Sequence, residues 1–359
     1  MSLRNRSSIE PVAGLTAAVS MPGPIAAHRL VALDDLRGLI MILMALDHAS
    51  FFIAKTHSSE YWGTALPVYE SALSFLTRWA THICAPGFFF LMGAGMVLFA
   101  EARKRIGWNE ARILRFFMVR GLLLIVLPFL LEDPVWGLGF RSTTPGAFVF
   151  RGGRVPGGGE ATQLFFGVLY ALGAAMILGA FLRRLGSMAV LLVSALAILT
   201  TELITPGVQN VNRLYPALVR LLFIPGHTDW IHVLYPVIPW LGISGFGMIL
   251  GRALVQRRRL PCLRLIVIGL GLLLIFSLLR LAGGFGNLHP PQAGWIGFLN
   301  VTKYPPSLAF VTLTVGLNLI LLGLFAKLTN RVRTWDRPLL VFGRSPLFFY
   351  FLHLYIYCL

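Results

Sequence analysis

Along the chain, long apolar stretches alternate with short polar ones, and the apolar runs are too long to be strands of a soluble sheet. Nine stretches come close to the ~20 residues that cross a bilayer as helix. They fall at roughly 34–54, 77–100, 112–131, 162–182, 187–204, 231–251, 262–281, 305–327 and 339–359. A tenth, over 214–224, is too short to span and predicts a re-entrant or interfacial segment. Residues 1–30 hold Arg4, Arg6, Pro11, Pro22 and Pro24 among small residues, which predicts a mobile cytoplasmic tail ahead of a membrane domain over 31–359. The pattern predicts an all-α fold: a polytopic integral membrane helical bundle with about 9 to 10 transmembrane helices.

Composition supports this reading. Of 359 residues, 57% are hydrophobic and 13% charged, and the mean hydropathy is +0.76. A soluble domain carries about 45–50% apolar and about 25% charged residues, so a soluble enzyme, a disordered chain and a disulfide-stapled secreted domain are excluded. The net charge of +17, from 31 Lys and Arg against 14 Asp and Glu, would point to nucleic acid in a soluble chain. Here it has another origin. Sixteen of the basic residues crowd four short loops, around Lys104, Arg183, Arg258 and Arg333, while the intervening loops are poor in them. The alternation is unbroken, so the basic loops and the N-terminus are expected on the cytoplasmic side. The expected partner is membrane lipid and not nucleic acid. Cys84, Cys262 and Cys358 lie in or beside apolar stretches, and no Cys/His spacing suggests zinc, so no metal is expected.

The histidines show the opposite asymmetry. His57, His82, His227, His232 and His289 fall in or beside the poor loops, and His48 and His353 lie inside spans. Histidine is the side chain best suited to exchange protons near neutral pH, so chemistry is expected in the outer half of the membrane. The Gly-rich stretch 151–160 lacks the ending of a phosphate-binding P-loop.

The first span carries the strongest polar signal. Asp47 and His48 sit mid-span, where a charged residue costs about 2.5–3.5 kcal/mol to insert and marks function. Arg37 and His48 are 11 residues apart, close to three helical turns, so they share a face about 16 Å apart along the axis. Asp34 precedes Arg37 by three and pairs with it on the same stripe. The stripe Asp34–Arg37–Met41–His48 suits an anion anchor at one end and a proton-transfer group at the other. Asp47 points about 100° away from His48, so a neighbouring helix is needed if it is to hold that ring. Arg78 and His82, four apart, enter the second span from the outer side, and Asn300, Thr302 and Lys303 crowd the approach to the eighth. In the last span Arg344 and His353 face opposite ways unless Pro346 kinks the helix.

LDDLRGLIMILMALDH (33–48) followed by TRWATHICAPGFFFLMGAG (77–95) resembles the bacterial DUF1624 group, similar to the heparan-alpha-glucosaminide N-acetyltransferase catalytic domain. The likeness continues through 165–178, 234–252, 298–316 and 343–357. It implies a multi-helix acyltransferase of the bacterial inner membrane, passing an acetyl or other acyl group from acetyl-coenzyme A (acyl-coenzyme A) to a sugar or glycan acceptor. The wider transmembrane acyltransferase superfamily has an Arg, ten residues, then a His in its first helix, the spacing of Arg37 and His48. In the heparan enzyme an Asn stands at the place of His48, and the proposed base lies past the helix end, where His57 is the nearest counterpart. The expected catalytic set is therefore His48 or His57 as base, Asp47 as orienting group and His82 as carbonyl donor. Arg37, Arg78, Lys303 and Arg344 are the expected contacts to the coenzyme. The chain ends inside its last span without a polar tail, so a further terminal helix is expected, and homo-oligomerisation is left open. The competing reading is a proton-coupled transporter or flippase of an envelope sugar, using Asp47, His48, Glu202 and His353 as a relay and the Gly-broken 242–251 segment as a moving helix.

Overall fold

Every backbone amide inside a bilayer must find its partner within the protein, which leaves helices as the economical solution for apolar runs of this length. The computed structural model describes residues 24–54, 59–136, 164–207, 215–256, 261–328 and 337–359. Over these the helices are α1 (Pro24–Phe52), α2 (Ala72–Thr81), α3 (Cys84–Arg105), α4 (Glu110–Leu127), α5 (Val168–Leu182), α6 (Ser187–Ile204), α7 (Ala217–Leu222), α8 (Val237–Gln256), α9 (Cys262–Ala282), α10 (Gly294–Leu299), α11 (Leu308–Leu328), α12 (Arg337–Arg344) and α13 (Pro346–Cys358). A π-helical turn, Pro128–Glu132, extends α4. The chain is an all-α polytopic membrane protein.

The span count differs from the expectation. Six helices among the described residues are long and apolar enough to cross a membrane, or seven if the bent pair α12–α13 is one span. Three local causes explain the difference from nine. The first span, α1, is long enough but carries Asp34, Asp35, Arg37 and Asp47. The stretches at 162–182 and 231–251 open as strands β1 (Leu164–Phe166) and β3 (Ile231–Val233), which shortens the first of the two helices to 15 residues. The last stretch bends by 98° between Arg344 and Pro346, because proline has no N–H for the helix ladder. The 214–224 segment holds only the six-residue α7, too short to span, as predicted.

Close approach of backbones sets the centre of the bundle. Gly93 of α3 packs on the Ser244 carbonyl of α8, and Gly247 of α8 packs on the Phe90 carbonyl of α3; a Cβ at either would collide with backbone. The glycines of 242–251 thus serve helix contact within one unbroken α8. At the N-terminal end of α1, α12 lies alongside, with Gly38 against the Leu339 carbonyl and Gly343 against that of Asp34.

A cap of loops closes the bundle beyond the C-terminal end of α1. Strands β1, β3 and β2 (Gly226–His227) form a small sheet in that order, β1 parallel and β2 antiparallel to β3. Tyr61 pairs with Tyr304, and the Trp62 amide donates to the Tyr304 carbonyl at 2.9 Å. The Lys303 amide donates to the Glu60 carbonyl at 3.0 Å. Buried Arg280 staples the approach to α11, donating to the carbonyls of Gly297, Phe298 and Asn300 at 2.8–2.9 Å. These bonds place the 59–70 loop and the 300–304 segment directly over α1 and α2.

Candidate active site

The polar stripe of α1 opens onto a cavity. Arg37, Met41, Met44, Asp47 and His48 all line one space of about 320 Å³, together with Arg120, Tyr235, Lys303 and Tyr350 from other elements. Arg37 donates from Nη1 to Asp34 Oδ1 at 2.8 Å and to the Gly343 carbonyl at 3.0 Å, so α12 and Asp34 aim it while it stays a quarter exposed. Arg120 of α4 joins it on the wall. Arg344 lies outside this lining: its side chain is 65% exposed and its Nε is 3.8 Å from Asp34 Oδ2.

His48 is oriented by another histidine. Its Nδ1 lies 2.7 Å from His353 Nε2, and His353 Nδ1 lies 2.7 Å from the Phe349 carbonyl. The ring planes differ by 4° with centroids 5.0 Å apart. A nitrogen–nitrogen distance this short between parallel rings puts them in one plane, edge to edge, so the contact is a hydrogen bond and not a stack. A carbonyl only accepts, which fixes the neutral His353 proton on Nδ1. His353 Nε2 then accepts from His48 Nδ1, and the unprotonated nitrogen of neutral His48 is Nε2, the atom a base requires. The bend at Pro346 is what brings His353 to α1. Tyr350, one turn before His353, also faces His48 and donates to the buried Glu132 at 2.7 Å.

Asp47 belongs to a different network. Arg78 donates from Nη1 to Asp47 Oδ1 at 2.6 Å, from Nε to Glu60 Oε1 at 2.9 Å and from Nη2 to Glu60 Oε2 at 2.6 Å. Thr81 Oγ1 lies 2.8 Å from Asp47 Oδ1, and Tyr69 donates to Glu60 Oε1 at 3.1 Å. Burial by itself would raise the Glu60 carboxyl, but the Arg78 guanidinium and the adjacent His82 hold it well below the usual carboxylate range. Asp47, Arg78 and Thr81 also line a second cavity, of about 550 Å³, beside the C-terminal end of α1. Asp47 and Thr81 line both cavities and form the wall between them.

The other predicted residues fall at graded distances from this wall. Lys303 is buried on the first cavity with its ammonium 5.1 Å from the centre of the Tyr304 ring, and no carboxylate among the described residues pairs with it. His82 lines neither cavity; it sits behind Arg78, with Nε2 3.4 Å from Glu60 Oε1 and its ring against Phe310. Arg78 is committed to carboxylates where a coenzyme contact was expected. His57 lies outside the described residues. His353, Glu60, Thr81, Tyr350, Tyr235 and Arg120 were not assigned to the site from sequence. Of these only His353 carried a signal, as a histidine inside a span. Among the described residues no three His, Cys, Asp or Glu side chains lie together as a metal site would need.

A search of curated proteins gave no match. A family model described as "Heparan-alpha-glucosaminide N-acetyltransferase, catalytic" matches residues 29–279, a range that holds α1, the Arg78 clamp and both walls of the junction. The match covers well over half of the chain, and the chain therefore belongs to this family of membrane acetyltransferases.

Proposed function

We propose that this protein is an acyltransferase of the bacterial inner membrane. It takes an acetyl group from acetyl-coenzyme A on the cytoplasmic side and passes it to a sugar, glycan or other envelope acceptor on the far side. The observation that carries the reading is the pair of cavities meeting at Asp47 and Thr81, with His48 in the first. The positive-inside pattern puts the Arg37 end of the first cavity at the cytoplasm. The two cavities then approach one wall from opposite sides.

The residues present suit a coenzyme thioester. Arg37 and Arg120 offer always-charged donors for phosphate at the mouth, and the apolar lining from Met41, Met44 and Phe88 suits the uncharged arm. In this assignment His48 Nε2 accepts the proton of the acceptor hydroxyl or amine as its oxygen or nitrogen bonds to the carbonyl carbon. The carbon–sulfur bond breaks, and the same proton passes from His48 to the leaving thiolate. Charge developing on the carbonyl oxygen needs a donor within a water-poor site, and Lys303 is the cation on this cavity without a carboxylate partner among the described residues. Asp47, held by Arg78 and Thr81, faces the acceptor side and orients its hydroxyl or amine. That commitment also weighs against the transporter reading, in which Asp47 would have to release and take up protons.

The test is direct. Purified protein should bind acetyl-coenzyme A by calorimetry and transfer labelled acetyl from it, whereas a transporter or flippase does neither.

A further inference from the structure

The second cavity has two unlike sides. Its polar side presents acceptors. Asp47 and Glu70 are carboxylates, and the hydroxyls of Ser50 and Thr77 already donate to backbone, to the Asp47 carbonyl at 2.6 Å and the Leu73 carbonyl at 2.8 Å. Both hydroxyls can then only accept from a ligand. The one guanidinium on this lining, Arg78, is engaged by Glu60 and Asp47. A group that fits this side brings many hydrogen-bond donors, as a sugar ring or a protonated amine does.

The other side is aliphatic and open. Leu46, Ile53 and Val68 line the same cavity yet are 45%, 64% and 90% exposed. Leu46 and Ile53 are seven apart on α1, two turns along one face, and Ile42 continues that exposed face at 39%. Leu73 of α2 adds to it at 76%. In a chain whose spans lie in a bilayer, such a face meets hydrocarbon. The gap between the last turns of α1 and the start of α2 therefore opens sideways into the membrane leaflet.

We propose that the second cavity receives a lipid-anchored acceptor from within the leaflet, with its hydroxyl- or amine-rich headgroup against Asp47 and its tail along Leu46 and Ile53. This rests on the acyltransferase reading above and adds the substrate class. The reacting hydroxyl or amine loses its proton as the new bond to the acetyl carbon forms, and the product remains membrane-bound. A soluble saccharide would gain nothing from a cavity whose flank is hydrocarbon.

The experiment uses the full chain in phosphatidylcholine nanodiscs and a radiolabelled dodecyl glucosaminide carrying a photoreactive diazirine in its tail. We expect saturable labelling of peptides within 46–54 or 68–77. Unlabelled dodecyl glucosaminide should compete it away at concentrations where free glucosamine and dodecanol do not. Leu46→Trp, which fills the opening, should abolish the saturable fraction, while Leu263→Trp on lipid-facing α9 leaves it at the wild-type level. Labelling that does not saturate, maps to α4 or α9, or is competed equally by free glucosamine overturns the proposal. Calorimetry with acetyl-coenzyme A in the same nanodiscs separates the two ideas. Coenzyme binding without saturable labelling rejects the lipid-anchored acceptor alone, and saturable labelling without coenzyme binding rejects the transferase reading.

Discussion

Replacing Arg78 by Met removes the cation that holds two buried carboxylates. The side chains of Arg78, Glu60 and Asp47 are 5%, 0% and 13% exposed, so water cannot replace the lost contacts. Breaking a buried ion pair by deleting one partner costs about 3–5 kcal/mol, because the remaining charge stays desolvated. Glu60 keeps Tyr69 at 3.1 Å and Asp47 keeps Thr81 at 2.8 Å, which holds the expected loss inside that range. Adding Glu60→Gln to Arg78→Met removes one of the stranded charges. The double variant should therefore lose less than the sum of the singles, by a coupling of about 0.5–3 kcal/mol. The pH dependence has a definite sign. In the wild type Glu60 is held low, so its contribution is complete above the usual carboxylate range and fades as pH falls through its depressed value. In Arg78→Met, burial of an unpaired Glu60 raises it instead, and acid relieves that variant. The gap between wild type and variant should narrow as pH falls. The assay is unfolding by sodium dodecyl sulfate in mixed micelles, followed by tryptophan fluorescence. An Arg78→Met protein as stable as wild type, fully additive singles, or a gap that widens in acid would refute the clamp.

Three further outcomes follow from the same geometry. His353→Ala should lower kcat about tenfold or more, but less than the about 10²–10⁴ expected for loss of the base, with KM for acetyl-coenzyme A unchanged; equal kcat in His353→Ala would mean that the ring pair is only packing. Arg37→Ala should weaken acetyl-coenzyme A binding by about 1.5–3 kcal/mol, roughly 10- to 150-fold, in a calorimetric titration, and unchanged affinity would leave Arg37 as a topology anchor. Cysteines placed at Ile106 and Val68, 63% and 90% exposed, should react with impermeant maleimide from the cytoplasmic and the outer side respectively; the reverse pattern would invert the topology.

The sequence made the apolar helices and the first stripe legible because both depend on local periodicity. Arg37 and His48 share a face by helix geometry alone, and they line one cavity. Two apolar stretches were read as pure helix although LFF and IHV at their starts pair as strands, because a short apolar run has no periodicity that separates strand from helix. The partner of His48 is 305 residues away and reaches it only through the bend at Pro346. Glu60 comes from a loop with no helical register to place it, and its pairing with Arg78 depends on the 300–304 segment that holds its backbone. Adjacency in sequence misled in one respect: Asp47 stands next to His48 yet serves Arg78 and Thr81.

The central claim is that His48 moves the proton between acceptor and coenzyme at the meeting point of two cavities. Its most direct test is a comparison of purified wild type and His48→Ala for acetyl-coenzyme A affinity and for acetyl transfer in the same preparation. The account predicts near-equal affinity, with transfer reduced by about 10²–10⁴ in the variant. Transfer by His48→Ala at a rate near wild type, with His57→Ala inactive, would contradict it and move the base beyond the end of α1.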